Sequence, residues 1–313
     1  MTETRTGERT EQTCRRRKAR ILAAAVIVLI LLAAGLIGWR IWKKTHNYWA
    51  VTQHASTGNS QSMFYTIEDR LGGLVIVDGG YAWDADQVMN VIRGHKGRVD
   101  AWFLTHPDED HAGAFLEIMR QEPDAVRIGR VYTCEVNREA FEAKARAYED
   151  LDFQAAVQWA LDGLGETVTY LHEDDEADVT GLHVKILHAW DACTDSMEKN
   201  LSNNGSLVFQ VYGKEQNMLF CGDILKAMEP CFVPQHEDEF RADYVQCAHH
   251  GNNGLTTAFY ELVDPDVAFM DGPEWLIDDT SGKYDSPELK AWFLERGTQV
   301  LYFNTAPNTI VLK

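Results

Sequence analysis

Within Thr105-His106-Pro107-Asp108-Glu109-Asp110-His111, four side chains able to bind a metal (His106, Asp108, Asp110 and His111) fall inside six residues. Imidazole nitrogens and carboxylate oxygens are the donors that hold ions such as Zn²⁺ and Mn²⁺. A bound ion of this kind activates water, so the chemistry within reach is hydrolysis. The plain structural alternative is a polar turn with its acids set against a helix dipole. Composition alone rarely places His-x-Asp-x-Asp-His in one turn.

Two elements must position these groups. The apolar run Val99-Asp100-Ala101-Trp102-Phe103-Leu104 predicts a buried strand. Ala114-Phe115-Leu116-Glu117-Ile118-Met119-Arg120 predicts the first turns of a helix. A strand tip, a short loop and a helix start let closely spaced side chains converge on one point.

The stretch resembles the His-x-His-x-Asp-His signature of the metallo-β-lactamase fold, with Asp108 where the commonest version has its second His. Two further stretches are similar to that family in the right order. Asn203-Asn204-Gly205-Ser206-Leu207-Val208-Phe209 with Met218-Leu219-Phe220-Cys221-Gly222-Asp223-Ile224 resembles the strand pair that ends in a metal-bridging Asp. Val245-Gln246-Cys247-Ala248-His249-His250-Gly251 resembles the strand that ends in the last His. In pattern the chain is most similar to the hydrolase domains fused to bacterial DNA-uptake channels and to secreted hydrolases like them, over roughly residues 50–313.

The resemblance implies two divalent metal ions, Zn or Mn. His106, Asp108 and Asp223 would hold one, and Asp110, His111 and a His from His249-His250 the other, with Asp223 bridging. A hydroxide shared by the two ions would be the nucleophile. Asp110 would orient it, and the histidine left off the metal would stabilise the leaving oxygen. His249 is preferred as the ligand, which gives His250 the catalytic role. Asp108 adds negative charge and a harder donor to the first site, shifting its preference from Zn²⁺ toward Mn²⁺ or Fe²⁺. A further His ligand is not obvious; Asn203 or Asn204 lies near where it would fall, so the first site is expected to be weak or filled only with substrate. Asp78-Gly79-Gly80 resembles the family's early Asp-Gly-Gly turn, with Asp78 supporting a ligand from behind. The remaining histidines read as surface or core residues, with His188 the one candidate to join the site. Trp275 is expected in a site-facing loop, either packed or stacking on a ligand.

The rest of the chain sets location and architecture. The first twenty residues carry seven cations (Arg5, Arg9, Arg15, Arg16, Arg17, Lys18 and Arg20) and are expected to be a disordered cytoplasmic tail, 1–20. Ile21 to Trp39 is nineteen residues without a charge, enough to cross about 30 Å of hydrocarbon. Trp39, Trp42, Arg40, Lys43 and Lys44 suit the far interface, so residues 21–42 read as a transmembrane anchor with the N-terminus inside. A cleaved signal peptide is the competing reading. Ten of the 29 Lys and Arg and three of the 48 Asp and Glu lie in residues 1–44, which leaves 19 against 45, a net −26, for the remainder. Such a body repels long polyanions, so tight binding of duplex nucleic acid is not expected. Of six cysteines, five follow the anchor, and Cys221 with Cys247 read either as a disulfide or as two buried thiols.

After a linker at 43–55, residues 56–313 are expected to form one α/β (α+β) domain, the αββα sandwich of the metallo-β-lactamase fold. Its predicted elements include a hairpin over 62–78, a strand at Val126–Tyr132, one long helix at Ala140–Leu164, and strands at Ser206–Tyr212, Asn217–Cys221, Tyr244–Ala248 and Val267–Met270. The function expected is a membrane-anchored, extracytoplasmic metal-dependent hydrolase of phosphodiester bonds, acting on a small or polymeric phosphate-containing substrate. The alternatives are an acyl hydrolase of the same fold or a binding module without activity.

Overall fold

The computed structural model describes the backbone of residues 3–304 and 306–313, and the side chains from residue 21 onward except at 23, 43, 44 and 305. The chain divides into two units, Met1–Asn47 and Tyr48–Lys313. The first is one helix, α1 (Glu3–Thr45). Its stretch Ala24–Trp42 is long and apolar enough to cross a membrane, by length and composition. From Glu3 onward the tail expected to be disordered belongs to the same helix: Arg, Lys, Glu and Gln are good helix formers and no proline interrupts them.

The second unit is built on two seven-stranded sheets. In the first, the strand order is Asn308–Leu312, Trp49–Gln53, Phe64–Asp69, Leu74–Asp78, Ala101–Phe103, Val131–Thr133 and Val168–Tyr170. In the second it is Gln299–Tyr302, Val267–Met270, Tyr244–Gln246, Asn217–Phe220, Val208–Tyr212, Leu182–His188 and Glu176–Val179. Val51, Tyr65, Val77 and Phe103 of one sheet share a core with Val184, Phe209, Phe220 and Phe269 of the other. Each fully buried side chain of this size contributes about 1.5–3 kcal/mol, which fixes the sheets face to face.

Helices cover both outer faces. Against the first sheet lie α2 (Ala85–Gly94) and α3 (Glu109–Gln121), together with α5 (Leu151–Leu164), which follows the shorter α4 (Arg138–Lys144). Against the second, Phe259, Tyr260 and Phe293 of the C-terminal helices pack on Val245, Ala268 and Met270. The layers are helix, sheet, sheet, helix, as expected for an αββα sandwich.

Three local expectations need correction, and of the two readings of Cys221 and Cys247 the structure shows the buried thiols. Residues 49–53, read as linker, form a strand whose inward side chains Trp49, Val51 and Gln53 are buried; five residues so close to an anchor offer too short an alternation to stand out. The helix expected over 140–164 is two helices, because Asp150 accepts a hydrogen bond from Phe153 N (2.9 Å) and caps a fresh start. The strand expected over 126–132 breaks at Gly129, where a Cβ would stand 2.5 Å from Asp100 O; Arg127–Ile128 pairs instead with Arg98–Val99. Cys221 and Cys247 are free and buried, and the disulfide joins Cys193 to Cys231. Cys14 lies outside the described side chains.

Candidate metal centre

The strand Ala101–Phe103 delivers the chain to Thr105 and His106 at one edge of the sandwich. Asp108, in extended conformation, then sits at the N-cap of α3 without capping it through its side chain. Asp110 and His111 therefore ride on the first turn of a helix whose next residues, Ala112 to Leu116, are buried. The turn is locked from behind. Asp78, wholly buried with φ 54°, closes the strand Leu74–Asp78. Its carboxylate accepts from Thr105 N (2.8 Å), Thr105 Oγ1 (2.7 Å) and His111 Nδ1 (2.7 Å). A carboxylate there can only accept, so His111 carries its proton on Nδ1 and turns the lone pair of Nε2 into the site.

Two other turns supply the opposite wall. Gly222 adopts φ 53°, and a Cβ there would meet Ser206 Cβ at 2.9 Å and Thr105 Cβ at 3.2 Å. Only glycine lets Asp223 approach the His106 loop so closely. At the end of Tyr244–Gln246, His249 (φ 52°) and His250 (φ 58°) are consecutive left-handed residues. Each such residue costs on the order of 1–3 kcal/mol, strain that clusters at functional sites. The turn sends the two rings in different directions.

Asp110, His111, Asp223 and His250 meet: one donor atom from each lies within 4.8 Å of the others. His111 Nε2 is 3.2 Å from Asp223 Oδ1, and His250 Nε2 is 3.2 Å from both Asp223 Oδ2 and Asp110 Oδ2. Close as they are, His111 Nε2, His250 Nε2 and Asp223 Oδ1 make no hydrogen bond although buried. Buried donor atoms gathered this closely without hydrogen bonds suit a shared cation. Electrostatics agree. Burial works against a charged His111, yet Asp223 and Asp78 hold its pKa well above the ordinary value. Burial likewise opposes a charged His250, yet Asp223 and Asp110 raise it to about 10. Asp223 stays well below the carboxylate range despite burial, because His111 and His250 face it. The carboxylates demand positive charge, which protons or a divalent ion supply, so the residues fit a metal.

The other expected residues lie beside this group. His106 Nε2, also buried without a hydrogen bond, is 3.5 Å from Asp108 Oδ2, and its ring centre is 4.1 Å from that of His111. Asp108, its side chain 30% exposed, accepts through Oδ1 from Ser202 Oγ at 2.5 Å. Asn204 donates through Nδ2 to Lys199 O, and its backbone carbonyl accepts from His188 Nε2 (2.9 Å). Those contacts keep His188 among packing residues. The structure brings His250 into the group rather than the expected His249, whose Nε2 is 4.0 Å from Asp223 and whose Nδ1 is bound to Asn252 O. Trp275 is half-exposed, with its indole N–H on Asn59 O.

A buried set behind Asp223 and His250 carried no sequence signal. Asp271 accepts from Gln53 Nε2 (2.7 Å), Tyr65 OH (2.5 Å) and Gln246 Nε2 (2.9 Å). Gln246 Oε1 in turn accepts from Cys221 N (2.8 Å), which ties the strand bearing Asp223 to the strand bearing His250. Burial pushes Asp271 up to about 6.

A family model described as the Metallo-beta-lactamase superfamily matches residues 57–269. Among solved structures, CmlA, a diiron beta-hydroxylase from Streptomyces venezuelae, aligns with a TM-score of 0.54 at 12% identity, over 84% of this chain and 54% of its own. A mutant of the same hydroxylase gives 0.54 and 12%, over 85% and 54%. The metallo-beta-lactamase fold protein YhfI from Bacillus subtilis gives 0.49 and 11%, over 85% and 99%. The chain spans about half the length of CmlA, and at this identity the likeness is one of fold.

Proposed function

The chain belongs to the metallo-β-lactamase superfamily, and from that premise we propose a metal-dependent hydrolase of phosphodiester bonds, anchored by α1 with its sandwich on the outer side of the membrane. The observation that carries metal-dependent chemistry is the convergence of four donor atoms within 4.8 Å, three of the residues contributing buried atoms without hydrogen bonds. Asp110, His111, Asp223 and His250 would hold one divalent ion, zinc or manganese. His106 and Asp108 would add a second, weaker position next to Asp223. A metal bound there supplies Lewis acidity and a water of lowered pKa.

The chain's own groups do the rest. Asp110 is the most exposed of the four, its side chain 17% open, and it orients the attacking water and takes its proton. Asp78 keeps His111 in the tautomer that leaves Nε2 free. His249, 28% exposed and outside the group of four, would stabilise the leaving oxygen. The substitution of Asp108 for His, which resembles the hydrolase domains of DNA-uptake channels, supports a phosphodiester substrate: a nucleotide, a nucleic-acid strand or a phosphorylated envelope component. The net −26 after the anchor favours a small substrate or a strand end over a duplex. The cation-rich residues before the span and the Cys193–Cys231 disulfide support the outer location.

The test uses the full chain in amphipol, reconstituted with Zn²⁺ or Mn²⁺ and assayed on bis-p-nitrophenyl phosphate and on acyl esters. Phosphodiester turnover that disappears in Asp110→Ala supports the reading. Turnover of acyl esters alone moves it to the acyl-hydrolase alternative, and failure to retain any metal overturns it.

A further inference from the structure

A hollow of about 200 Å³ opens beside Asp110, lined by residues 107–110, by the α4–α5 connection at 148–150, and by Tyr81, Phe153 and Asn203. Five of these groups are carboxylates (Asp108, Glu109, Asp110, Glu149 and Asp150), and among the described residues no Lys or Arg belongs to the lining. Asp108 and Asp110 are already assigned to the metal positions. Glu109, Glu149 and Asp150 are not. Among the described residues they form no ion pair and belong to no group tight enough to cage a metal ion. Arg146 acts on Glu149 from outside the lining, and its guanidinium donates to Glu198 O (3.0 Å).

An acidic face by itself is a solvated surface. What distinguishes this one is a wall shared with the candidate metal centre. Asp110 belongs both to the hollow and to the group of four, and His250, only 3% exposed, holds Nε2 3.2 Å from Asp110 Oδ2 without a hydrogen bond. The negative field reaches the aromatic part of the lining: burial first, and then the charge of Asp110, pushes the Tyr81 hydroxyl up to about 12. Tyr148, 70% exposed, donates its hydroxyl to Asn200 Oδ1. Aromatic rings beside carboxylates suit an organic cation, which the ring faces attract and the acids neutralise. A phosphate ester that carries only negative charge meets like charge on this side of Asp110, which is costly. One that also carries a positive group does not.

We propose that this hollow recognises an ammonium group, so that the substrate is a phosphodiester in which one alcohol carries an amine. Glu109, Glu149 and Asp150 take the cation, while the metal position at Asp110 takes the phosphate. The assignment of the bond to be cut rests on the hydrolase reading above; the recognition of the ammonium group does not.

The experiment compares O-phosphoethanolamine with propyl phosphate, two ligands of nearly equal size that differ by an ammonium in place of a methyl group. Their affinities for the full chain, in neutral detergent with excess Mn²⁺, are measured by titration calorimetry. Phosphoethanolamine should bind about tenfold more tightly, the effect of two or three partly exposed ion pairs. Glu109→Gln, Glu149→Gln and Asp150→Asn should each lower that preference about two- to threefold, and the triple variant should abolish it. The amides keep the size of the side chains, and Asn at 150 can still cap α5. The single variants carry the test if the triple variant does not fold. Equal affinities in the natural protein would overturn the proposal. So would a preference that every variant keeps, which would trace it to the net −26 after the anchor rather than to the hollow. Turnover of bis-p-nitrophenyl phosphate in the same samples separates the two readings. Ammonium preference without turnover keeps the hollow and removes the hydrolase, and turnover without the preference does the reverse.

Discussion

Asp110 and His111 open α3 and meet Asp223 and His250 at one point, whereas His106 and Asp108, in the same loop, do not complete a second group of that kind among the described residues. The two halves differ in what holds them. His111 is fixed by Asp78, itself wholly satisfied by Thr105 and His111. Asp223 and His250 arrive on neighbouring parallel strands cross-tied through Gln246 and Asp271. Asp108 has a competing partner in Ser202, whose hydroxyl donates to its Oδ1. A ligand set becomes a site when each member is held from behind and left unpaired in front. By that standard one half has the form of a metal centre, and the other does not.

The comparison can be broken most severely at Asp223, which touches both histidines of the complete half. Asp223→Ala should reduce turnover on the order of 10³-fold or more and empty the centre, beyond the 10–100-fold usual for groups behind the ligands; metal analysis with steady-state kinetics checks both. His249→Ala should lower turnover of an alkyl phosphodiester about 100-fold while sparing the p-nitrophenyl ester, whose leaving group needs no proton. Equal loss on both esters would assign His249 a different role. Asp78→Ala should weaken metal binding about 10–100-fold by freeing the His111 ring, as read by competition with a chromophoric chelator. Ser202→Ala sharpens the contrast from the other side. It releases Asp108 from a hydrogen bond to a charged group, so a second equivalent of metal should bind about tenfold more tightly, seen in a titration of metal per chain.

The parts of the site visible in the sequence are those written locally. His-x-Asp-x-Asp-His lies between an apolar run and an amphipathic helix, and Gly222-Asp223 follows an apolar strand, so type and order sufficed. The choice between His249 and His250 was not legible. Both residues take left-handed backbone, and neither helical nor strand periodicity then tells which ring points inward. Ser202 and Asp271 act through contacts with residues far away in the chain, which no local pattern marks. The same holds for Cys193 and Cys231, since pairing among five cysteines cannot be deduced from spacing. The two-layer sandwich was readable from alternating strands and helices. The strand Trp49–Gln53 was not, because its partners, Asn308–Leu312 and Phe64–Asp69, give it its meaning.

The most direct test of the central claim is metal content in two single variants of the full chain, His250→Ala and His249→Ala, after identical reconstitution with Zn²⁺ and dialysis. The account predicts that His250→Ala loses the tightly held ion while His249→Ala keeps it. Retention in His250→Ala with loss in His249→Ala would contradict it, and would mean that the centre is assembled around the other ring.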